Sequence, residues 1–350
     1  MQRNAVTQGP DEIQERYRDN FARHLMGVGL YLQSEIMQTL TRQCGHRDLR
    51  INYEPYIAII GSRGARLSDI AKLLGISRQA ANQTANQIEA AGYIERRADP
   101  RDGRAKLLVA TQRGIQLRKD GAVVAARLQA EMEQIVGEAA IGYPMDTLVR
   151  LNDSLGLLLY GPGETGFTQD RLLAALLPRL RDFINDRLMQ LTMVKGHPDL
   201  RHSFGQVLTA IGPRGGRIQQ MARTHGVSKQ AISAVATELE DLGYIHRLAD
   251  ANDARLLVLV FTDRGRQLIA DSVASVDALQ EEFAGIVGGS ALAELGNTLR
   301  DLYRALHLEE DIFGNSAPVD IRTLASQLTQ QLGEEGARAL GQLLLSPGEI

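Results

Sequence analysis

The 350-residue chain has no tryptophan, one cysteine and only 5% aromatic residues. A single thiol, Cys44, excludes an internal disulfide and a thiolate-rich zinc site. No apolar run reaches the roughly eighteen residues that a transmembrane helix needs. The opening "MQRNAVTQGP" lacks the apolar centre of a secretory signal, so a cytoplasmic protein is expected. The seven histidines fall in no H-x-x-x-H or H-E-x-x-H spacing, so no metal site is expected. No G-x-S-x-G, P-loop or paired-carboxylate motif stands on a suitable strand or loop; neither an enzyme nor a cofactor is expected. The net charge of −3 argues against an overall basic coat, but it leaves room for local basic faces. With strand signals sparse and helical periodicity common, the chain reads as mainly α.

What the sequence does contain is a repeat. "GHRDLR" at 45–50 returns as "GHPDLR" at 196–201. In the same ungapped register, "GISRQAANQTANQIEAAGYIERRAD" meets "GVSKQAISAVATELEDLGYIHRLAD", and "TQRGIQL" meets "TDRGRQL". Roughly four positions in ten are identical across 45–117, well above chance for an ungapped match. Toward the end of each copy the pairing shifts, setting Leu148 and Leu151 against Leu292 and Leu295, and the longer "EAAIGYPMDT" of the first copy reads as a loop. So long a period describes two copies of one domain, not a solenoid.

Each copy opens on a long helix, with Phe21, Leu25, Val28, Leu32, Ile36 and Leu40 at helical spacing, answered by Leu173, Leu177, Leu180, Ile184, Leu188 and Leu191. A short helix around 53–60 follows. Ser68 then reads as the cap of a helix stopping at Gly75, and Ser77 as the cap of a second stopping at Gly92. Two short helices joined by a glycine-bearing turn make a helix-turn-helix. "YIERR" and "AKLLVAT" flank a charged turn as a hairpin. Thr111 caps a long helix over 112–136, and a last helix runs from Pro144 to Tyr160. Leu148, Leu151, Leu155 and Leu158, like Leu292, Leu295, Leu299, Leu302 and Leu306, step by three and four as a seam that needs a partner. The two seams, joined by the short "GPGETGFT", can bury each other.

Helix, helix-turn-helix, charged hairpin and long helix in this order describe a winged helix-turn-helix. The sequence resembles the multiple-antibiotic-resistance-regulator (MarR) family of transcription factors: Asp99, Arg101, Asp102 and Arg104 match its D-x-R-D-x-R wing, with "EAAGYIERR" before and "TQRG" after. In the second copy Asp250, Asp253 and Arg255 remain, but Asn252 replaces the first wing arginine. A hairpin tip that approaches DNA needs positive charge, and carboxylates beside the arginines fix the guanidinium forks by charge-assisted hydrogen bonds. Arg104, aided by Arg97, is the expected minor-groove contact, because narrow A·T-rich grooves concentrate negative potential.

In helix 77–91 the set Ala81, Thr84, Ala85 and Ile88 faces inward, leaving Ser77, Arg78, Gln79, Asn82, Gln83 and Asn86 outward. Arginine pairs with guanine, and glutamine or asparagine with adenine, in the major groove. The second copy offers Ser228, Lys229, Gln230, Ser233, Ala234 and Thr237. Residues 62–83 carry four basic groups and one acid, and 213–234 four and none. Because the heads differ, an asymmetric operator is expected.

The resemblance implies more: a double-stranded DNA partner, and release by a small aromatic or anionic effector held between dimerising and DNA-binding parts. Tyr31, His46, Arg50 and Tyr53, with His197, Arg201 and His202, are the candidates for that crevice. Cys44 is a poor peroxide sensor, since its counterpart is Lys195 and the family's cysteines stand near the start of the first helix. The expected architecture is mainly α with small β wings: two tandem MarR-like winged-helix repeats forming an intramolecular pseudo-dimer. Its parts are a flexible N-terminus (1–10), a first repeat (11–161), a hinge (162–168), a second repeat (169–309) and a C-terminal helical extension (310–350), through which further homodimerisation is open. The expected function is a sequence-specific regulator, a repressor, with no membrane partner. The alternative is a winged-helix protein-interaction scaffold whose second DNA-binding unit is degenerate.

Overall fold

A computed structural model describes residues 10–100, 102–158, 172–212, 215–249 and 257–309, omitting the side chains of residues 10, 103 and 104. The expected hinge and C-terminal extension therefore lie outside the described residues, as do Arg101, Asp250, Asp253 and Arg255. No described helix is long and apolar enough to cross a membrane.

The chain begins with α1 (Pro10–Arg18) and the long α2 (Phe21–Arg42). Asn20 caps α2 by accepting from the Arg23 N–H, which satisfies one of the four donors a helix start leaves open. A 3₁₀ turn (Ile51–Tyr53) leads into α3 (Glu54–Ile60), then β1 (Ala65–Arg66), α4 (Leu67–Leu73) and α5 (Arg78–Ala90). Strands β2 (Ile94–Asp99) and β3 (Asp102–Ala110) form the hairpin, and β1 adds to it in the order β1-β3-β2, all antiparallel. Helices α6 (Gln112–Val136) and α7 (Glu138–Ser154) close the unit.

The second unit runs α8 (Leu173–Val194), α9 (Phe204–Ala210), α10 (Ile218–Thr224), α11 (Lys229–Asp241), β4 (Ile245–Ala249), β5 (Leu257–Phe261), α12 (Asp263–Val287) and α13 (Gly289–Ala305). Here a single bridge, Gly216 to Leu259, stands where Ala65 pairs with Leu108 in the first unit.

The strand-to-helix corner is built identically in both units. Thr111 Oγ1 donates to Gly92 O (2.7 Å) and accepts from the Gly114 N–H (3.1 Å); Thr262 does the same with Gly243 and Gly265. A Cβ at Gly114 would sit 2.1 Å from Tyr93 O, and one at Gly265 2.0 Å from Tyr244 O, so only glycine permits the helix to lie this close to the strand.

Three expectations need correction. Ser68 does not cap α4: pairing of Ala65 and Arg66 with β3 brings the chain into the helix at Leu67, so Arg66 occupies the cap and Ser68 lies inside. "EAAIGYPMDT" is not a loop but the first part of α7, with Pro144 inside the helix. Proline cannot donate to Ala140 O, and Thr298 Oγ1 from α13 does so instead (2.9 Å), which removes the usual cost of an unpaired carbonyl. Finally, α7 stops at Ser154, which puts Leu158 beyond the helix.

Counterpart helices meet: α2 packs on α8 and α7 on α13, while α13 also packs on α2 and α12 on α8 and α7. Leu148, Leu151, Leu295, Leu299 and Leu302 are fully buried there. Arg150 of α7 donates to Ile286 O and Val287 O, completing carbonyls that the end of α12 leaves without helical donors. One hydrophobic cluster runs from these helices through the first unit's α3, α5 and hairpin; the second unit's Phe204, Val207, Ile211, Ile232, Leu239, Tyr244 and Leu259 form a separate cluster.

Candidate nucleic-acid interface

The start of α5 is set by Ser77, whose side chain accepts from the Ala80 N–H (3.1 Å); Ser228 does the same for Ala231 in α11 (3.1 Å). Burial of Ala81, Ala85 and Ile88 then fixes the rotation of α5, so Ser77, Arg78, Gln79, Asn82, Gln83 and Asn86 are exposed, as the periodicity requires. In α11, Ile232, Ala236 and Leu239 are buried; Ser228, Lys229, Gln230, Ala234 and Thr237 are exposed, and Ser233 is half-buried. Tyr56 OH from α3 donates to Ala81 O (3.3 Å) behind the helix.

One group that the sequence reading passed over ties α5 to the hairpin. Arg96 of β2 donates to Asn82 Oδ1 (3.1 Å), to Asn86 Oδ1 (2.7 Å) and to Glu89. Its counterpart Arg247 donates to Thr237 Oγ1 (2.9 Å), Ser233 O (3.4 Å) and Glu240. A guanidinium only donates, so the atoms of Asn82 and Asn86 that face it are oxygens, and their amide N–H groups point elsewhere. Bidentate pairing with adenine needs both amide atoms. These two asparagines are thus set up as donors, while Arg78, Gln79 and Gln83 lie outside the brace. The signal was present in the sequence: arginine, glutamate and two polar positions recur in both copies.

Asp99 has a partner outside the hairpin. It is buried and accepts from Arg66 Nε (2.7 Å) and Nη2 (2.5 Å), which anchors the base of the hairpin to β1. That bond, followed by the charge of Asp99 itself, raises the affinity of Arg66 for its proton above the ordinary arginine level. Asp102 is exposed and lies 3.6 Å from the same guanidinium. Arg97 is exposed and donates to Glu95 Oε1 (2.7 Å). The backbone of Arg104 belongs to β3. On the second hairpin the counterparts of Arg97 and Lys106 are Leu248 and Leu257, both more than half exposed (52% and 53%).

The effector candidates divide. His46 is buried, with Nε2 2.8 Å from Asp120 Oδ2 and its ring against Tyr93; His197 repeats this with Asp271 (3.1 Å) and Tyr244 OH (3.1 Å). The His46 bond holds the Asp120 carboxyl below its ordinary pKa, so it stays ionised. These histidines lock each long helix to its unit. Tyr53 is in the core. Tyr31 is half-buried, and burial, then Glu35, pushes its hydroxyl pKa up. Arg201 bonds Glu238 (2.8 Å), and His202 pairs with Asp186 (3.1 Å). Cys44 is exposed just past α2.

A crevice of about 430 Å³ opens instead between α2, α3, α6 and the start of α8. Arg50 lines it, the one candidate that does among those named. Its apolar walls are Ile36, Leu40, Ile57 and Leu117, with Gly121, Ala122 and Ala125 as the floor that makes room. Arg50, Arg63, Arg118 and Arg179 give it cationic groups, Arg179 being paired with Glu54 at 3.2 Å. Pro178 leaves Ala174 O at its edge without a helical donor. An apolar cleft with a few convergent charges suits a small aromatic anion. Among the described residues no cluster of His, Cys, Asp or Glu is fit to hold a metal.

A serine-capped helix after a short helix and turn, a braced hairpin and long flanking helices define the winged helix-turn-helix class. Residues 56–105, from within α3 through the hairpin, match the model of the MarR family. No curated protein matches the chain. Two solved structures are similar to parts of it. The CouR protein of Rhodococcus jostii RHA1, bound to p-coumaroyl-CoA, is 24% identical over 38% of this chain and 91% of its own, with a TM-score of 0.30. A MarR-family transcriptional regulator of Rhodococcus sp. RHA1 is 23% identical over 41% of this chain and 97% of its own, with a TM-score of 0.33.

Proposed function

We propose that the protein is a sequence-specific DNA-binding transcriptional regulator, a repressor, whose two winged-helix repeats form an intramolecular pseudo-dimer. The observation that carries this reading is the pair of serine-capped, outward-facing polar helices, each held to its hairpin by one arginine. Two heads on one DNA face must lie about 34 Å apart to enter successive major grooves. The mutual burial of α2 with α8 and α7 with α13 is the joint that would hold such a spacing. Joining the heads in one chain makes the second contact intramolecular, so a weaker second head still engages. A small aromatic or anionic effector in the crevice at α2, α3, α6 and α8 would move the first head relative to that joint and shift the population away from the DNA-competent spacing.

Leu248 and Leu257 favour a second reading for the second unit alone. Exposed leucines where the first hairpin has Arg97 and Lys106 suit a protein surface better than phosphate, as in a scaffold with one degenerate DNA-binding unit.

Selection of bound duplexes from a random pool, followed by titration across salt concentrations, decides between them. Two engaged heads give an asymmetric site longer than one turn of duplex and a steep fall of log affinity with log salt. Selection of a site for one head only favours the scaffold reading; binding that is flat with salt, or no selected site, ends the regulator reading.

A further inference from the structure

The positions that line the crevice beside the first head have counterparts in the second unit, and the two sets are not alike. In the first unit the α6 wall is Arg118, Gly121, Ala122 and Ala125. The repeat places Ile269, Ser272, Val273 and Val276 at these positions of α12, and the isoleucine and both valines are buried. Every substitution of a small residue adds volume, and the one cation becomes apolar. The facing wall is also taken. Ala58, Ile60 and Gly61 line the first crevice; their counterparts are Thr209, Ile211 and Gly212. Helix α1 covers these. Gln14 Nε2 donates to Ile211 O (2.9 Å), Arg16 donates to Asp277 Oδ1 of α12 (2.6 Å), and the Arg18 guanidinium lies 3.5 Å from where a Cβ of Gly212 would stand. Arg23, just beyond α1, donates to Thr209 Oγ1 (3.1 Å).

We propose that the second unit's crevice has become the docking groove for the chain's own N-terminal helix, so that the protein takes one effector molecule per chain, in the first unit. The proposal rests on the effector reading of the first crevice given above. Sequence supports the one-sidedness. In the register of the repeat, α1 aligns with "GPGETGFTQ" (161–169), a segment outside the described residues. Gln14, Arg16 and Arg18 correspond to Thr165, Phe167 and Gln169, and Asp277 corresponds to Ala126. Both partners of the Arg16–Asp277 ion pair are therefore replaced by groups that cannot form one. A groove filled by a tethered segment is filled at high effective concentration, which a free ligand has to overcome.

Two measurements on the full chain test this. Calorimetric titration with the aromatic anion 8-anilinonaphthalene-1-sulfonate is expected to give one site per chain. Ala122→Phe, which fills the first crevice, abolishes it, and Arg118→Glu, which reverses its charge without filling it, weakens it at least tenfold. Two sites per chain, or binding that survives both variants, overturns the proposal. No saturable binding by the wild-type chain overturns the effector reading itself, a separate outcome. In the second measurement, the double variant Gln14→Ala/Arg16→Asp speeds amide exchange at residues 204–212 about tenfold and leaves residues 54–60 unchanged. Pairing Arg16→Asp with Asp277→Arg restores the slow exchange. Equal rates in wild type and Gln14→Ala/Arg16→Asp show that α1 does not occupy the groove, and the docking claim falls.

Discussion

The two heads carry the same elements yet are attached differently. The first head's core (Tyr56, Ile57, Ile60, Ile70, Ile88 and Tyr93) is continuous with the helical hub, whereas the second head's core closes on itself. The first keeps basic residues on its hairpin and an open crevice at its root; the second has exposed leucines on its hairpin and a filled root. The two units share an order of elements and differ in the side chains that fill their roots and tip their hairpins. A head that shares its core with the hub would pass on strain from the effector proposed above, because close-packed interiors yield little. A head with its own core can shift as a body.

The largest effect expected from that comparison is in the hub. Leu151→Ala and Leu295→Ala, at corresponding and fully buried positions, should each cost about 2–5 kcal/mol and lower one and the same unfolding transition, followed by calorimetry. Two separated transitions would show that the hub is not shared. Next comes DNA affinity. Arg78→Ala should lose about 1–3 kcal/mol of discrimination at one base pair, and Lys229→Ala less, in competition binding with the selected site. The hairpins sharpen the contrast further: Arg97→Ala should reduce the salt slope by about one unit, and Leu248→Ala should leave it unchanged.

The smallest effect is on the pH dependence of stability. His24 of α2 has no histidine counterpart, since Ala175 occupies that place. It is buried with Nε2 2.5 Å from Asp19 Oδ1 and its ring against Tyr303. Burial lowers its pKa from the ordinary 6.5; Asp19 opposes this, while Arg304 and Arg300 add to it. The unfolded chain therefore binds the proton more readily than the folded one. The His24 contribution is complete above the ordinary value and is lost as pH falls through the lowered one. His225 of the second unit, lowered mainly by burial, acts in the same sense. Melting temperatures between about pH 5 and 8 should fall toward the acid side, and His24→Gln should flatten part of that slope.

What was legible in the sequence was local. Ser77 and Thr111 cap the helices that their side chains can reach within one turn, and α6 spans the 112–136 marked in the sequence. The outward set on α5 followed from three apolar residues at helical spacing. Ser68 misled, because the short pairing of β1 with β3, forty-odd residues on, moved the helix start. The histidines misled for the same reason: the bond from His46 to Asp120 spans 74 residues and cannot be read from either segment.

The sequence by itself determined the order of elements and the polar faces of α5 and α11, since capping and periodicity act through neighbours in the chain. Only the tertiary structure decided which arginine braces that face, which root stays open and where α1 lies. Those outcomes depend on side-chain volumes and hydrogen-bond partners brought together from distant segments, and such pairs leave no local trace.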